Sequence, residues 1–326
     1  MMKENSNITI IGNTTWGQAI ATLINKEKVD VKILCRTKSE AKNRVNKLDK
    51  LKSLPQTIQL SSDLSTINNS ELIIFAFPSQ SIISNLKIIS NNLNKNHKIL
   101  IASKGIEKTS GRRLSEVLTE EITLINKKNI AILSGPNLAK EIYENKTTST
   151  VIASINLNLA NNIKTIIESN KFKIYLSEDI IGVELGGALK NIVTLGAGIC
   201  DGLNIGNNLK GAFISIAFSE IVKLALSAGA QSVTISGLSG LGDTLASSYS
   251  PFSRNRLAGQ YIAEGYSINN INEKINNIIE GLDTLYGAKA LSKKLNIDHT
   301  FIDLLIDVCN QNKHPKELLK NTIGNI

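Results

Sequence analysis

Ile8-Thr-Ile-Ile-Gly-Asn-Thr-Thr-Trp-Gly-Gln-Ala19 begins as a short β-branched run, turns at a glycine and continues in a helical pattern. Gly12 permits a sharp turn and Gly17 permits a helix to pack closely on the preceding strand, so the amides of the helix start face whatever lies beyond the strand end. In the first strand-to-helix position of a chain, this arrangement suits the pyrophosphate of a dinucleotide. The middle position, where a glycine would let the backbone approach most closely, is Thr14, and the motif reads Gly-x-Thr-x-x-Gly. A turn with two glycines also occurs where no nucleotide binds, so the segment leaves both readings open.

Outward from that turn, short apolar runs alternate with helical patterns, the signature of βαβ units and a largely parallel sheet. The expected strands are Ile8 to Ile11, Val31 to Cys35, Leu72 to Phe77, Ile99 to Ala102, Ile130 to Ser134, Thr150 to Ser154 and Lys173 to Leu176. Helices are expected between them at Trp16 to Lys26, Ser79 to Asn92 and Leu157 to Ser169. From Ile180 onward the pattern is helical, over Val183 to Cys200, Lys210 to Ala228, Ser253 to Glu264, Ile268 to Ile279, Tyr286 to Leu295 and Phe301 to Gln311. The expected fold is α/β: an N-terminal Rossmann-like doubly wound sheet over residues 1–178, followed by an all-α C-terminal domain over residues 179–326.

Composition narrows the function. Hydrophobic residues make up 42% and charged residues 20% of the 326, which is ordinary globular material. The net charge of +9 comes from scattered lysines without aromatic interleaving, and heavy Asn, Ile and Lys usage reads as a background bias, so no nucleic-acid partner is expected. An anionic small substrate fits the charge as well. Cys35, Cys200 and Cys309 are far apart and odd in number, which argues against a disulfide framework and a metal site. Met1-Met-Lys-Glu-Asn-Ser-Asn7 leads straight into a strand, with no signal-peptide core, and no unbroken apolar run long enough for a bilayer follows. A soluble cytoplasmic protein without a membrane partner is expected, and a homodimer is an assembly the sequence leaves open.

Several segments carry chemistry. After the second strand the chain reads Cys35-Arg-Thr-Lys38, where a NAD site would offer a carboxylate to the ribose. Arg36 instead could meet a 2′-phosphate and stack on adenine, which leans toward NADP, or it is a solvated loop arginine. Ala102-Ser-Lys-Gly-Ile-Glu107 and Ser134-Gly-Pro-Asn-Leu-Ala-Lys-Glu141 follow strand ends, where open α/β sheets bind their ligands. Gly240-Leu-Gly-Asp243 ends a tight turn in a carboxylate, and Ser253-Arg-Asn-Arg256 groups the residue types that grip an oxyanion. Singly, Gly240-Leu-Gly-Asp243 also reads as a helix end and Ser253 as an N-cap with Arg254 exposed.

Gly182-Val-Glu-Leu-Gly-Gly-Ala-Leu-Lys-Asn191 puts a lone cation into an apolar helix, and residues 182–206 hold seven of the 22 glycines. Each interior glycine costs a helix ~1 kcal/mol against alanine, so something else is gained. Gly186 and Gly187 lie on the face over which the Lys190 side chain leans, giving a bare floor with room for a ligand and a lysine whose pKa desolvation depresses. A snorkelling lysine on a close-packed helix pair is the other reading.

Together these segments resemble the soluble, bacterial-type NAD(P)-dependent glycerol-3-phosphate dehydrogenases. Gly-x-x-x-Trp-Gly, Ser-Lys-Gly-Ile-Glu, Ser-Gly-Pro-x-x-Ala-Lys-Glu, Gly-Gly-Ala-Leu-Lys-Asn, Gly-Leu-Gly-Asp, Ser-Arg-Asn-Arg and Ile-Glu-Gly occur in family order over nearly the whole chain. The most specific is Gly-Gly-Ala-x-Lys-Asn followed by Gly196-Ala-Gly-x-x-Asp-Gly202. The resemblance implies NAD or NADP as cofactor and a small-molecule substrate, dihydroxyacetone phosphate or sn-glycerol 3-phosphate, in a reaction that supplies phospholipid backbones. It implies that Lys190 is the catalytic acid or base, Lys104 a second cation touching cofactor and substrate, and Asp243 their orienting carboxylate. By the same resemblance Gly12, Thr15, Trp16, Gly17, Arg36, Ala139, Arg254, Ile278 and Glu280 belong with the cofactor. Gly135, Asn137, Ser253, Arg254 and Asn255 belong with the substrate. Three positions depart from the family pattern: Thr14 stands for the usual second glycine, Asn137 for a hydroxyl residue, and Asp283 for a frequent cation.

Overall fold

The computed structural model describes residues 6–24, 29–47, 49, 53–276 and 278–324. The first residues of the leader reading and the expected end of the first helix at Lys26 lie outside them. The chain forms two compact units, Met1–Ser103 with Leu114–Ile180, and Lys104–Arg113 with Ile181–Ile326.

The first unit is built on one sheet of eight strands: β1 Ser6–Ile11, β2 Val29–Leu34, β3 Ile58–Ser61, β4 Leu72–Phe75, β5 Lys98–Ile101, β6 Ile130–Ser134, β7 Thr148–Ala153 and β8 Phe172–Ser177. Their order is β3-β2-β1-β4-β5-β6-β7-β8. All neighbours run parallel except β6 and β7, where Leu133 faces Ile152 in antiparallel register. Ile8, Ile10, Ile73, Ile74, Phe75 and Leu100 are fully buried, because helices cover a parallel sheet on both faces and its central strands see no water. The strand order reverses beside β1, with β2 on one side and β4 on the other, and ligands of such sheets collect beyond the carboxyl ends at that reversal.

The second unit is helical. At its centre lies the helix Ile180–Gly202, in which every residue from Gly182 to Cys200 is buried. A helix apolar all round has no wet face and must be enclosed by others. Its length and composition would let it cross a membrane, yet 89% of its most apolar window is buried inside the protein. Around it lie the helices Gly206–Ser227, Asp243–Tyr249, Arg254–Ala263, Glu280–Leu295 and Thr300–Cys309. Glycines set the spacing: a Cβ at Gly198 would lie 1.9 Å from the Arg256 carbonyl oxygen, and one at Gly259 equally close to that of Leu195. The two helices therefore touch backbone to backbone.

Lys104–Arg113 belongs to this unit as a closed loop. Ile106 pairs antiparallel with Arg113, and the Glu107 carboxylate accepts the amides of Thr109 at 3.0 Å and Ser110 at 2.7 Å. Gly111, at φ +68, sits where a Cβ would be 2.5 Å from the Leu291 nitrogen. The Arg113 guanidinium meets the buried Glu184 carboxylate at 3.1 Å. All three cysteines are free and buried.

Candidate active site

In the first unit, Gly12 follows β1 at φ +117, with space for a Cβ denied by the Ala76 carbonyl at 2.7 Å. Gly17 has no room either, since its Cβ would fall 2.2 Å from the Gly12 oxygen. Both glycines are thus required by contact, and Gly12 by conformation as well. Thr14 caps the helix Thr15–Leu23: its hydroxyl accepts the Gly17 amide at 2.9 Å and donates to the Ala76 carbonyl at 2.7 Å. The residue standing for the missing glycine therefore pins the turn to the end of β4. Trp16 donates its indole N–H to the Ala102 carbonyl at 2.8 Å, beyond β5. A turn of positive φ, followed by a capped helix start at the reversal of the sheet, fits a dinucleotide pyrophosphate.

Arg36 is exposed beyond β2. The strand end is less free of acid than residues 35–38 suggest, because Glu40 folds back from the short helix Lys38–Lys42 to accept the Arg36 amide at 3.0 Å. At the end of β6, Gly135 lies against Thr150, whose Cα would be 2.9 Å from a Cβ. The Asn137 amide is fastened to β7: its oxygen accepts from the Thr150 hydroxyl at 2.8 Å and its NH2 donates to the Ser149 carbonyl at 3.2 Å. Ala139 opens the short helix Ala139–Tyr143.

In the second unit, Lys190, Lys104 and Asp243 come together. Lys190 Nζ donates to Asp243 Oδ1 at 3.0 Å and to Ser247 Oγ at 2.6 Å. Lys104 Nζ donates to the other carboxylate oxygen, Oδ2, at 2.6 Å. The local fold explains the meeting. Leu238–Gly242 forms a wide π-helical turn, with Gly242 N–H bonded to the Gly237 carbonyl at 3.0 Å, and delivers Asp243 to the first turn of its helix. A Cβ at Gly186 would be 3.1 Å from the Gly240 nitrogen. The space above Gly186, ligand room in one reading of the sequence, is therefore filled by the backbone of that turn. Its bareness serves to bring Asp243 down onto Lys190.

The electrostatics follow. Burial lowers the Lys190 pKa below the ordinary lysine value, with Asp243 opposing that and the Lys104 charge adding to it. Burial pulls the Asp243 carboxyl upward, but Lys104 and Lys190 together outweigh it and hold the group below the usual carboxylate range. One carboxylate thus holds two ammonium groups, and burial makes Lys190 readier to lose its proton than an ordinary lysine.

Ser253 caps the helix Arg254–Ala263, its hydroxyl accepting the Arg256 amide at 3.3 Å, and Arg254 is exposed on its first turn. Asn255 donates to Asn191 Oδ1 at 2.8 Å and accepts the Gly281 amide at 2.9 Å. Glu280 opens the next helix, and its charge reaches Lys190; Ile278 just before it is exposed. Asp283 pairs with Lys108 at 3.1 Å, so its charge has a cation of its own.

Sequence reasoning missed Ser247, although it stands four residues after Asp243 on one helix face. It also missed Asn191, directly after Lys190, whose Nδ2 is buried with no partner among the described residues.

Residues 7–160 match the model of the NAD-dependent glycerol-3-phosphate dehydrogenase N-terminus, and residues 179–320 match that of its C-terminus. Among relatives, the chain is 37% identical over 319 residues to a glycerol-3-phosphate dehydrogenase, NAD(P)+, of Dehalococcoides mccartyi, covering 96% of this chain and 89% of that protein. It is 32% identical over 322 residues to the enzyme of the same name from Oceanobacillus iheyensis, covering 97% and 93%. Among solved structures, glycerol-3-phosphate dehydrogenase from Coxiella burnetii superposes with a TM-score of 0.91 at 26% identity, covering 98% of this chain and 99% of that one.

Proposed function

The chain belongs to the NAD-dependent glycerol-3-phosphate dehydrogenase family, and on that premise we propose that it interconverts dihydroxyacetone phosphate and sn-glycerol 3-phosphate, supplying the backbone of glycerophospholipids. The observation that carries this reading is the buried Lys190–Asp243–Lys104 group. Bound at the Gly12–Gly17 turn, a nicotinamide dinucleotide supplies the hydride in reduction and receives it in oxidation.

This chain's residues manage the charge that hydride transfer creates. Addition of hydride to the C2 carbonyl leaves an alkoxide, which needs a proton and a cation. Lys190 donates the proton to that oxygen and becomes a neutral amine; in oxidation the amine takes the hydroxyl proton back. Burial lowers its pKa, which makes the ammonium a stronger acid than an ordinary lysine. Lys104 supplies the cation for the oxygen, while Asp243 and Ser247 hold the Lys190 amine in place. Ser253, Arg254 and Asn255 grip the phosphate, which aligns the carbonyl, and Gly135 and Asn137 line the substrate. Thr15, Trp16, Arg36, Ala139, Ile278 and Glu280 attend the cofactor, with Arg36 directed to a 2′-phosphate. In this reading residues 1–178 bind the dinucleotide, residues 179–326 bind substrate, and the enzyme works in the cytoplasm, with a homodimer as the assembly to be tested.

The experiment is direct: purified protein is mixed with dihydroxyacetone phosphate and either reduced cofactor, and loss of nicotinamide absorbance is followed. No loss with either cofactor would refute the assignment, and good turnover of a 3-hydroxy acid in its place would indicate a related dehydrogenase. Repeating the comparison with Arg36→Ala tests cofactor choice, with the NADPH Michaelis constant rising and that for NADH unchanged.

A further inference from the structure

The second unit holds another ion cluster, centred on the buried Lys210 and partly buried at Asp201 and Arg256. Asp201, at the end of the Lys190 helix, accepts two hydrogen bonds from Lys210 Nζ, at 2.8 and 2.9 Å, and one from Arg256 Nε at 2.6 Å. Lys210 is 3% exposed; its ammonium also donates to the Ser248 carbonyl at 2.9 Å and lies 4.5 Å from the Tyr249 ring centre. One carboxylate is thereby tied to the ends of three other helices. Two of those helices carry site residues. Ser248 follows Ser247, which bonds Lys190, and Arg256 is two residues beyond Arg254.

An ion cluster around a buried cation is a poor device for stability, since apolar residues of similar shape often do as well. It is a good device for direction, because charge-assisted bonds are short and angular. The Asn255–Asn191 bond is one directional tie between these helices, and the cluster adds others. The backbone approach at Gly198 and Gly259 fixes how near the helix Arg254–Ala263 comes to the Lys190 helix, but a smooth glycine contact does not fix its rotation. The bond that Lys210 donates to the Ser248 carbonyl likewise anchors the far end of the helix that carries Asp243 and Ser247.

We propose that Asp201 is a positioning residue with two separable arms: Lys210 sets the Asp243–Ser247 helix against Lys190 and governs turnover, while Arg256 sets the Ser253–Asn255 turn and governs affinity for the substrate phosphate. The proposal rests on the dehydrogenase reading above.

The test measures kcat and KM for dihydroxyacetone phosphate and for unphosphorylated dihydroxyacetone, with melting temperatures alongside. Lys210→Met lowers kcat about tenfold with KM changed less than about twofold; Arg256→Gln raises KM for the phosphorylated substrate about tenfold, with kcat and the KM for dihydroxyacetone held within about twofold. Arg256→Lys recovers part of the loss. Asp201→Asn, which keeps the shape of the side chain, shows both effects and carries the test if Lys210→Met does not fold. Parallel changes in kcat and KM that track melting temperature in all three, or no change in either constant, would overturn the proposal. Calorimetric titration with glycerol 3-phosphate separates this from the assigned reaction: an inactive wild type sinks that reaction, while the Arg256 arm still predicts weaker binding in Arg256→Gln and unaltered binding in Lys210→Met.

Discussion

Gly198→Ala and Gly211→Ala form a matched pair whose outcomes should have opposite signs. Both glycines lie in helices of the second unit, so alanine brings each the same intrinsic gain, ~1 kcal/mol. At Gly211 nothing lies within 4 Å of the added Cβ, and the gain should appear undiminished as a higher melting temperature. At Gly198 the added carbon would be 1.9 Å from the Arg256 carbonyl oxygen, where ordinary contact begins at 3.4 Å. The helices would have to part by about 1.5 Å. Overpacking of a close-packed core costs ~1–3 kcal/mol, which outweighs the helix gain. The same displacement moves Arg254 and Asn255 relative to Lys190, and a shift on the order of 1 Å at a positioning group costs roughly 10² in rate. Thermal denaturation and kcat/KM for dihydroxyacetone phosphate read the two effects. A Gly198→Ala protein as stable as Gly211→Ala, with kcat/KM within threefold of wild type, would refute the packing argument, where threefold is about the noise of such comparisons.

Lys190→Ala should lower kcat by roughly 10² or more while cofactor titration stays near wild type, and an unchanged rate would remove Lys190 from the chemistry. Arg254→Ala should mainly raise KM for the phosphorylated substrate; equal loss with unphosphorylated dihydroxyacetone would show that Arg254 does not grip the phosphate. Stability should also report on Lys190. Its folded pKa lies below 10.5, so between the folded value and 10.5 the unfolded chain binds more protons, and stability rises with pH through that window. Denaturant titrations at several alkaline pH values should therefore show wild type gaining on Lys190→Met as pH rises, and a difference of opposite slope would contradict the desolvation argument.

Much of the fold was legible because parallel strands covered on both faces read as unbroken apolar runs: Leu72-Ile-Ile-Phe75 has four buried residues in four. β3, Ile58–Ser61, was not, since only Ile58 is buried and Gln59 and Ser61 dilute an already short signal. The reversed direction of β7 left no trace in composition, because either direction buries the same residues. At the site, Lys190 was conspicuous as a cation in an apolar helix, but the sequence left open whether the glycines beside it made room for a ligand or for close packing. Sequence marks where a side chain is missing but not whether a ligand or another backbone fills the gap, and above Gly186 it is the backbone of Gly240. Ser247 and Glu40 escaped for a related reason. Serine and glutamate are ordinary on helices, and only the fold reveals that one meets Lys190 and the other returns to Arg36.

The loop Lys104–Arg113 sits in the middle of the first unit's sequence but is built into the second unit. Three cuts in the chain, not one, would be needed to separate the units. A gene fragment beginning near Ile180 would encode a helical bundle with an unfilled notch beside Leu291, a Glu184 without Arg113, and an Asp243 facing one ammonium where the whole chain supplies two. The Lys190–Asp243–Lys104 group therefore cannot be inherited as a detachable C-terminal module: any recombination that exchanges the N-terminal half of the chain also exchanges Lys104.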